Sequence, residues 1–226
     1  MEYPQVITSV CEFLLHSPFC QLQTLPLTVF LSVHAVNIVT FATGQQYVCD
    51  SAFGGDGPTR PLPLISGQIT PNLGSQEVRL VYSPIPQIRA RPSGHQKFWI
   101  YQYRNSEAAE WNSFYCFTEA EFMTQDFDVM NFFTSEGNTF QRTTVLIVKF
   151  LRDTSEGKKG EDVEDSKIVG KLMLVNGTVK RNLGGKTEIV QVCKNEDERV
   201  QALKQWFGIT VTDDERQGIK GLVTEL

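Results

Sequence analysis

His34 and Asp50 are the residues whose types and spacing could do chemistry. The chain has three histidines, His16, His34 and His95, so the choice of a general base near neutral pH is short. His16 lies in a stretch with no clear hydrophobic period. His95 lies in the loop Pro92-Ser93-Gly94-His95, where a solvated imidazole needs no further reason. His34 opens "HAVNIVTF", a run that alternates like a strand; "ATG" follows as a turn, and "QQYVCD" alternates again and ends on Asp50. A three-residue loop ending in a left-handed glycine centres this hairpin on Thr43. Asp50 then stands opposite Val36 and diagonal to His34, about 7–8 Å away between backbones and within side-chain reach. A carboxylate that holds one imidazole nitrogen fixes the tautomer and turns the other toward proton transfer, which makes two members of a nucleophile–His–Asp triad. The same two residues also read as a satisfied polar pair at a barrel rim. Both readings stand on pattern alone.

The elements that must position this pair are mostly strands. After Asp50 comes a loop rich in glycine and proline, "SAFGGDGPTRPLPL", and then strand candidates "EVRLVYS" at 77–83 and "KFWIYQYR" at 97–104. Thr118-Glu119-Ala120-Glu121 has the form of a capping box and predicts a helix from Thr118, with Phe122, Phe127 and Met130 on its apolar side. "TTVLIVKFLR" predicts a strand running into "DTSEGKKGEDVEDS", a charged insertion expected to be an exposed mobile loop. Asn176-Gly177, between "KLMLV" and "TVKRN", is a hairpin signal, and it explains the Asn-Gly-Thr triplet there without invoking glycosylation. Asn195 caps a last helix with Val200, Leu203, Trp206 and Phe207 facing inward, and Gly208 ends it. Residues 1–33 have no period; "VCEFLLH" is compatible with a helical turn or two, and Pro18 and Pro26 break anything longer.

Bulk properties narrow the function classes. A chain of 226 residues with 41% hydrophobic and 21% charged residues has the composition of a soluble globular protein with a real core. A net charge of −5 with no basic stripe argues against nucleic-acid binding. Cysteines 11, 20, 49, 116 and 193 form no C-x-x-C pair, which predicts reduced thiols and no metal site. No lysine or arginine precedes Arg60, so a secretory signal has no basic n-region to start from. The apolar run from Leu22 to Phe41 is interrupted by Gln23, Pro26, His34 and Asn37, so no membrane span is expected and the location read from the sequence is cytoplasmic. Two glycine clusters are decoys for phosphate binding. Gly184-Gly185-Lys186-Thr187 has Lys180 where a P-loop needs glycine, and Gly54-Gly55-Asp56-Gly57 has no Lys-Ser/Thr after it.

The run "HAVNIVTFATGQQYVCDSAFGGDGPTRPLPL" resembles the middle of the arylamine N-acetyltransferases, especially fungal ones. There a histidine opens one strand, a tight turn follows, and Tyr-x-x-Asp leads into x-x-Phe-Gly and a glycine/proline loop. "FWIYQYRN", "FTEAEFMTQDFDVMNFFTS" and "LGGKTEIVQVCKNEDERVQALKQWFGI" continue the likeness in the right order, so it covers His34 to Leu226. The resemblance implies an α+β fold of helical bundle, β-barrel and α/β lid. On this chain that gives an unassigned head at 1–33, a barrel domain at 34–115 carrying His34 and Asp50, and a linking helix with the lid at 116–226, the bundle being mostly missing. It implies ping-pong acetyl transfer from acetyl-CoA, as a substrate and not a resident cofactor, to an arylamine or hydrazine through a cysteine thioester. His34 would move the proton, Asp50 would orient it, Phe53 and Gly54 would line the acceptor pocket, and Thr134, Ser135 and Asn138 would lie near the CoA pocket.

The family's nucleophile belongs to an Arg-Gly-Gly-x-Cys motif, and this chain contains no Arg-Gly-Gly. Cys11 and Cys20 stand in a different context, and Cys49 points to the face of its strand opposite Asp50. Three readings therefore remain. The chain carries an acyltransferase site, or it is a catalytically silent relative that binds CoA or a partner, or its His–Asp pair is structural.

Overall fold

The computed structural model describes residues 5–13, 32–51, 53–85, 96–137, 139–153, 167–184 and 186–226; for 5–13, 32 and 33 this means the strands alone. The chain divides into two compact units, Met1–Asn131 and Phe132–Leu226.

The first unit is an eight-stranded antiparallel sheet. Its strands are β1 (Gln5–Phe13), β2 (Ser32–Thr40), β3 (Gln46–Cys49), β4 (Leu62–Pro63), β5 (Ile69–Pro71), β6 (Glu77–Pro84), β7 (Lys97–Arg104) and β8 (Asn112–Phe117), in the order β4-β3-β2-β1-β8-β7-β6-β5. The segment "VCEFLLH", compatible with helix from its sequence, contributes its first residues to β1, a central strand. Val6, Ile7, Thr8 and Val10 explain why: β-branched side chains lose rotamer freedom in a helix and pack well on a pleated surface.

The β2–β3 hairpin has the register its turn dictates. Asn37 pairs with Cys49 and Thr40 with Gln46, so one step further Val36 faces Asp50. Gly44 has φ +81°, the left-handed conformation that closes a three-residue loop, and its N–H donates to Phe41 O at 2.9 Å. Val36, Ile38 and Val48 point into a core shared with Leu62, Val78, Leu80, Trp99, Tyr101, Phe114, Tyr115 and Phe117. On the other side of β7 and β8, Phe98, Ile100 and Cys116 pack with Ile85. Both faces of these two strands are covered. That is why "FYCF" in β8 shows no alternation and carries no strand signal of its own.

The helix expected from Thr118 starts later. A tight 3₁₀ turn spans Thr124–Asp126, and α1 covers Phe127–Glu136. The capping groups at 118–121 are used otherwise: Thr118 Oγ1 accepts from Ala120 N at 3.3 Å, and Glu119 Oε1 accepts from Trp99 Nε1 at 2.8 Å. Asp126 Oδ2 takes the Met123 N–H at 2.7 Å and starts the helical region there.

The second unit holds α2 (Phe140–Thr143) and the antiparallel strands β9 (Leu146–Arg152), β10 (Ile168–Val175), β11 (Thr178–Asn182) and β12 (Thr187–Val192), in the order β12-β11-β10-β9. Asn176 at φ +52° turns the β10–β11 hairpin. Helix α3 (Glu196–Ala202) is capped by Asn195, whose side chain accepts from Glu198 N at 3.0 Å, and a wide turn, Leu203–Phe207, carries it to Gly208. Leu172, Leu174, Val179, Cys193, Ala202 and Phe207 form the core beneath it, with Leu203 and Trp206 against them. Beyond it lies the short α4 (Asp213–Gln217). The charged insertion at 154–166 lies outside the described residues. Among the described residues, no helix is long and apolar enough to cross a membrane.

Candidate active site

The hairpin brings His34 and Asp50 into contact. His34 Nε2 lies 2.8 Å from Asp50 Oδ1, with the imidazole 11% exposed and the carboxylate fully buried. An ionised carboxylate only accepts hydrogen bonds, so the proton of this contact sits on Nε2, and Nδ1 is the nitrogen turned away from the acid.

A buried carboxylate is tolerable only when its oxygens are satisfied. Two further donors meet Asp50. The Phe53 N–H donates to Oδ1 at 3.2 Å, and the Tyr115 hydroxyl donates to Oδ2 at 2.8 Å. The loop leaving the strand thus folds back onto the acid that ends it, while Tyr115 of β8 reaches it through the core that the two share. Such charge-assisted hydrogen bonds hold the carboxylate in one orientation, and through it the imidazole.

Phe53 closes the site from above. Its ring meets His34 edge-on at 5.3 Å between centroids, Phe114 at 4.7 Å and Tyr115 at 5.0 Å. Gly54 follows at φ +86°, the conformation that lets the chain turn straight after Phe53. Beneath them Tyr101 and Tyr115 stack at 4.8 Å with their planes 13° apart. Burial, then the charges of Asp50 and Asp56 and the neighbouring Tyr103, push the Tyr101 hydroxyl well above its ordinary value, so it stays protonated. It donates to Asp56 O at 2.9 Å.

The glycine/proline loop is tied down along its length. Asn72, buried, accepts from Thr59 N at 2.8 Å and donates from Nδ2 to Gly57 O at 3.2 Å and to Gln76 Oε1 at 2.6 Å. Tyr115, Tyr101 and Asn72 are the parts of the site that the sequence did not announce. They come from 65, 45 and 15 residues away from the groups they hold.

Of the residues singled out in the sequence, the structure therefore groups His34, Asp50, Phe53 and Gly54. Thr134 and Ser135 stand on α1 within the second unit, where Thr134 O accepts from Thr139 Oγ1 at 2.9 Å; Asn138 lies outside the described residues. Among the described residues no group of histidine, cysteine, aspartate and glutamate could hold a metal ion.

The family model for N-acetyltransferases matches residues 28–216. This chain belongs to that family, the arylamine N-acetyltransferase family, and its α+β fold is the fold of that family. It is 34% identical over 192 residues to the N-malonyltransferase FDB2 of Fusarium pseudograminearum, a match covering 82% of this chain and 53% of that protein. It is 30% identical over 187 residues to the N-malonyltransferase FDB2 of Gibberella moniliformis, covering 80% and 52%. The chain spans about half the length of the curated relatives it matches. Among solved structures, the arylamine N-acetyltransferase of Salmonella typhimurium superposes with a TM-score of 0.66 at 24% identity, covering 96% of this chain and 68% of that one. The enzyme from Mycobacterium abscessus gives a TM-score of 0.70 at 15% identity, covering 95% and 64%. These structural likenesses speak for the fold alone.

Proposed function

We propose that this chain carries the proton-handling half of an acyl-CoA-dependent N-acyltransferase site. The observation that carries the reading is the buried Asp50 carboxylate, which holds His34 Nε2 at 2.8 Å while Phe53 N and Tyr115 Oη fix its other positions. In the proposed reaction the imidazole takes a thiol proton and the thiolate attacks the acyl carbonyl of acyl-CoA. The tetrahedral adduct collapses to the enzyme thioester, and the departing CoA thiolate takes the proton from the imidazolium, so CoA leaves as the thiol and His34 is neutral again. An aromatic amine or hydrazine then attacks the enzyme thioester, His34 receives its proton, and the thiol is restored. Asp50 stabilises the imidazolium without itself being protonated. Phe53 offers the acceptor an aromatic edge beside the base. Thr134, Ser135 and Asn138 are kept as contacts for CoA on the family likeness.

The names of the Fusarium and Gibberella relatives favour malonyl-CoA over acetyl-CoA as donor. The test is amide formation from aniline with each donor in turn, for the 226-residue chain and for His34→Ala. The expected result is malonanilide in excess of acetanilide, with the rate reduced about 100-fold or more in the variant. No anilide from either donor overturns the reading. CoA binding without transfer would mark a non-catalytic relative instead.

A further inference from the structure

The outer face of β6 and β7 carries charge that the His34–Asp50 pair does not use. Val78, Leu80, Tyr101 and Tyr103 turn toward the core, so the alternation of a strand turns Glu77, Arg79, Gln102 and Arg104 outward. The register sets these four in two rows. Glu77 stands across from Arg104, and Arg79 stands across from Gln102, which on its other side stands across from Ser113. Trp111, the residue before β8, packs against both arginines. Its ring centroid lies 4.0 Å from Arg79 Cζ and 4.6 Å from Arg104 Cζ.

The two guanidinium groups are held differently. Arg104 is engaged by the protein: Nε donates to Glu77 Oε2 at 2.7 Å, and Nη1 donates to Glu107 O at 2.8 Å. Arg79 is fixed at its base. Its Nε donates to Gln102 Oε1 at 2.9 Å, and Gln102 Nε2 donates in turn to Ser113 Oγ at 2.9 Å. Among the described residues, no acceptor meets Nη1 or Nη2 of Arg79. Neither nitrogen is sealed from solvent, because the buried side-chain atoms without a partner among the described residues are Thr59 Oγ1 and Arg181 Nε.

We propose that Arg79 anchors an oxyanion site that takes a phosphate group end-on, on the face of the sheet opposite the His34–Asp50 pair. The two terminal amino groups of a guanidinium match two oxygens of one phosphate, which makes the contact bidentate. Stacking on Trp111 fixes the plane of the fork, and the bond to Gln102 fixes its stem. A side chain already held in one rotamer loses little further freedom when the anion arrives.

The surrounding charge favours the same ligand. Burial, and then the Arg104 charge, hold the Arg79 guanidinium below the usual arginine value, and it stays protonated all the same. An anion relieves that crowding of like charges. Glu77 is the carboxylate in contact with this pair, and it offsets Arg104, so Arg79 is the cation left without a counter-charge. A phosphate dianion gains more from that field than a single carboxylate does. The site does not rest on the acyltransferase reading and is tested without it.

The experiment follows the indole and guanidinium N–H resonances by NMR in the intact 226-residue chain during titration with inorganic phosphate. Sodium chloride holds the ionic strength constant. The Trp111 and Arg79 signals should move together and saturate with a dissociation constant of about 1 mM. Trp99 and Trp206 should stay in place, the first on the inward face and the second in the other unit. Arg79→Lys keeps the charge without the fork and should weaken binding about tenfold, and Arg79→Gln should abolish it. Glu77→Gln takes the carboxylate from Arg104 and should tighten binding about threefold.

A shift that sodium chloride alone reproduces, or one that does not saturate, overturns the proposal, and this comparison needs no variant to fold. Weaker binding in Glu77→Gln would place the anion elsewhere. Vesicles of phosphatidylcholine with and without phosphatidic acid separate the two sources of such a group. Co-sedimentation that requires phosphatidic acid and is lost in Arg79→Gln assigns a lipid headgroup. A chain that stays in solution while inorganic phosphate still saturates it assigns a soluble phosphate ester.

Discussion

The Tyr115 hydroxyl lies 2.8 Å from Asp50 Oδ2 and joins β8 to the end of β3, two elements 65 residues apart. It leaves the second oxygen of a fully buried carboxylate satisfied in a place where water does not reach. Tyr115→Phe keeps the ring stacked on Tyr101 and removes only that donor. A hydrogen bond to a charged group is worth about 1.5–3 kcal/mol, so urea unfolding should show a loss of that order with unchanged slope. An undiminished midpoint would mean that Asp50 does not depend on this hydroxyl.

Tyr101 makes stability fall at alkaline pH. Its proton is held above the ordinary value of 10.0 in the folded chain, first by burial and then by Asp50 and Asp56. Below pH 10 both folded and unfolded forms are protonated and the contribution is complete. Above it the unfolded chain gives up its proton first, so stability declines as pH rises toward the folded value. Thermal melts between pH 9 and 11 should show this decline in the wild type, and Tyr101→Phe should flatten it. An equally steep decline in the variant would place its cause elsewhere.

Asn72 fastens the loop that follows Asp50. Asn72→Ala strips a partner from the Thr59 N–H and from Gly57 O, each costing about 1–3 kcal/mol where it stays buried. Hydrogen exchange at Thr59 should quicken by about tenfold or more, while amides of β10 and β11 keep their protection. Unchanged exchange at Thr59 would show that the loop is held without this side chain.

Gly44 fixes the register on which the pair depends. A Cβ added there meets nothing within 4 Å, so Gly44→Ala isolates the cost of placing a side chain at φ +81°. That cost is about 1–2 kcal/mol, read as a lower urea midpoint. The Phe41–Gln45 backbone bond and the His34–Asp50 contact should persist, because the loop length is unchanged.

The sequence determined by itself what local geometry can determine. A three-residue loop centred on Thr43 fixes the pairing of every residue in its two strands, so the contact between His34 and Asp50 follows from counting. Asn176-Gly177 and the Asn195 cap are legible for the same reason: their hydrogen bonds close within a few residues. The capping box at Thr118 shows the limit of such signals, since its glutamate and threonine found equally good partners in Trp99 and Ala120. Tertiary structure alone decided that β1 fills the centre of the sheet, between β2 and β8. It alone brought Tyr115, Tyr101 and Asn72 to the acid and its loop. Those contacts join strands through a common core, and hydrophobic pattern says that a strand is buried without saying which strand it lies beside.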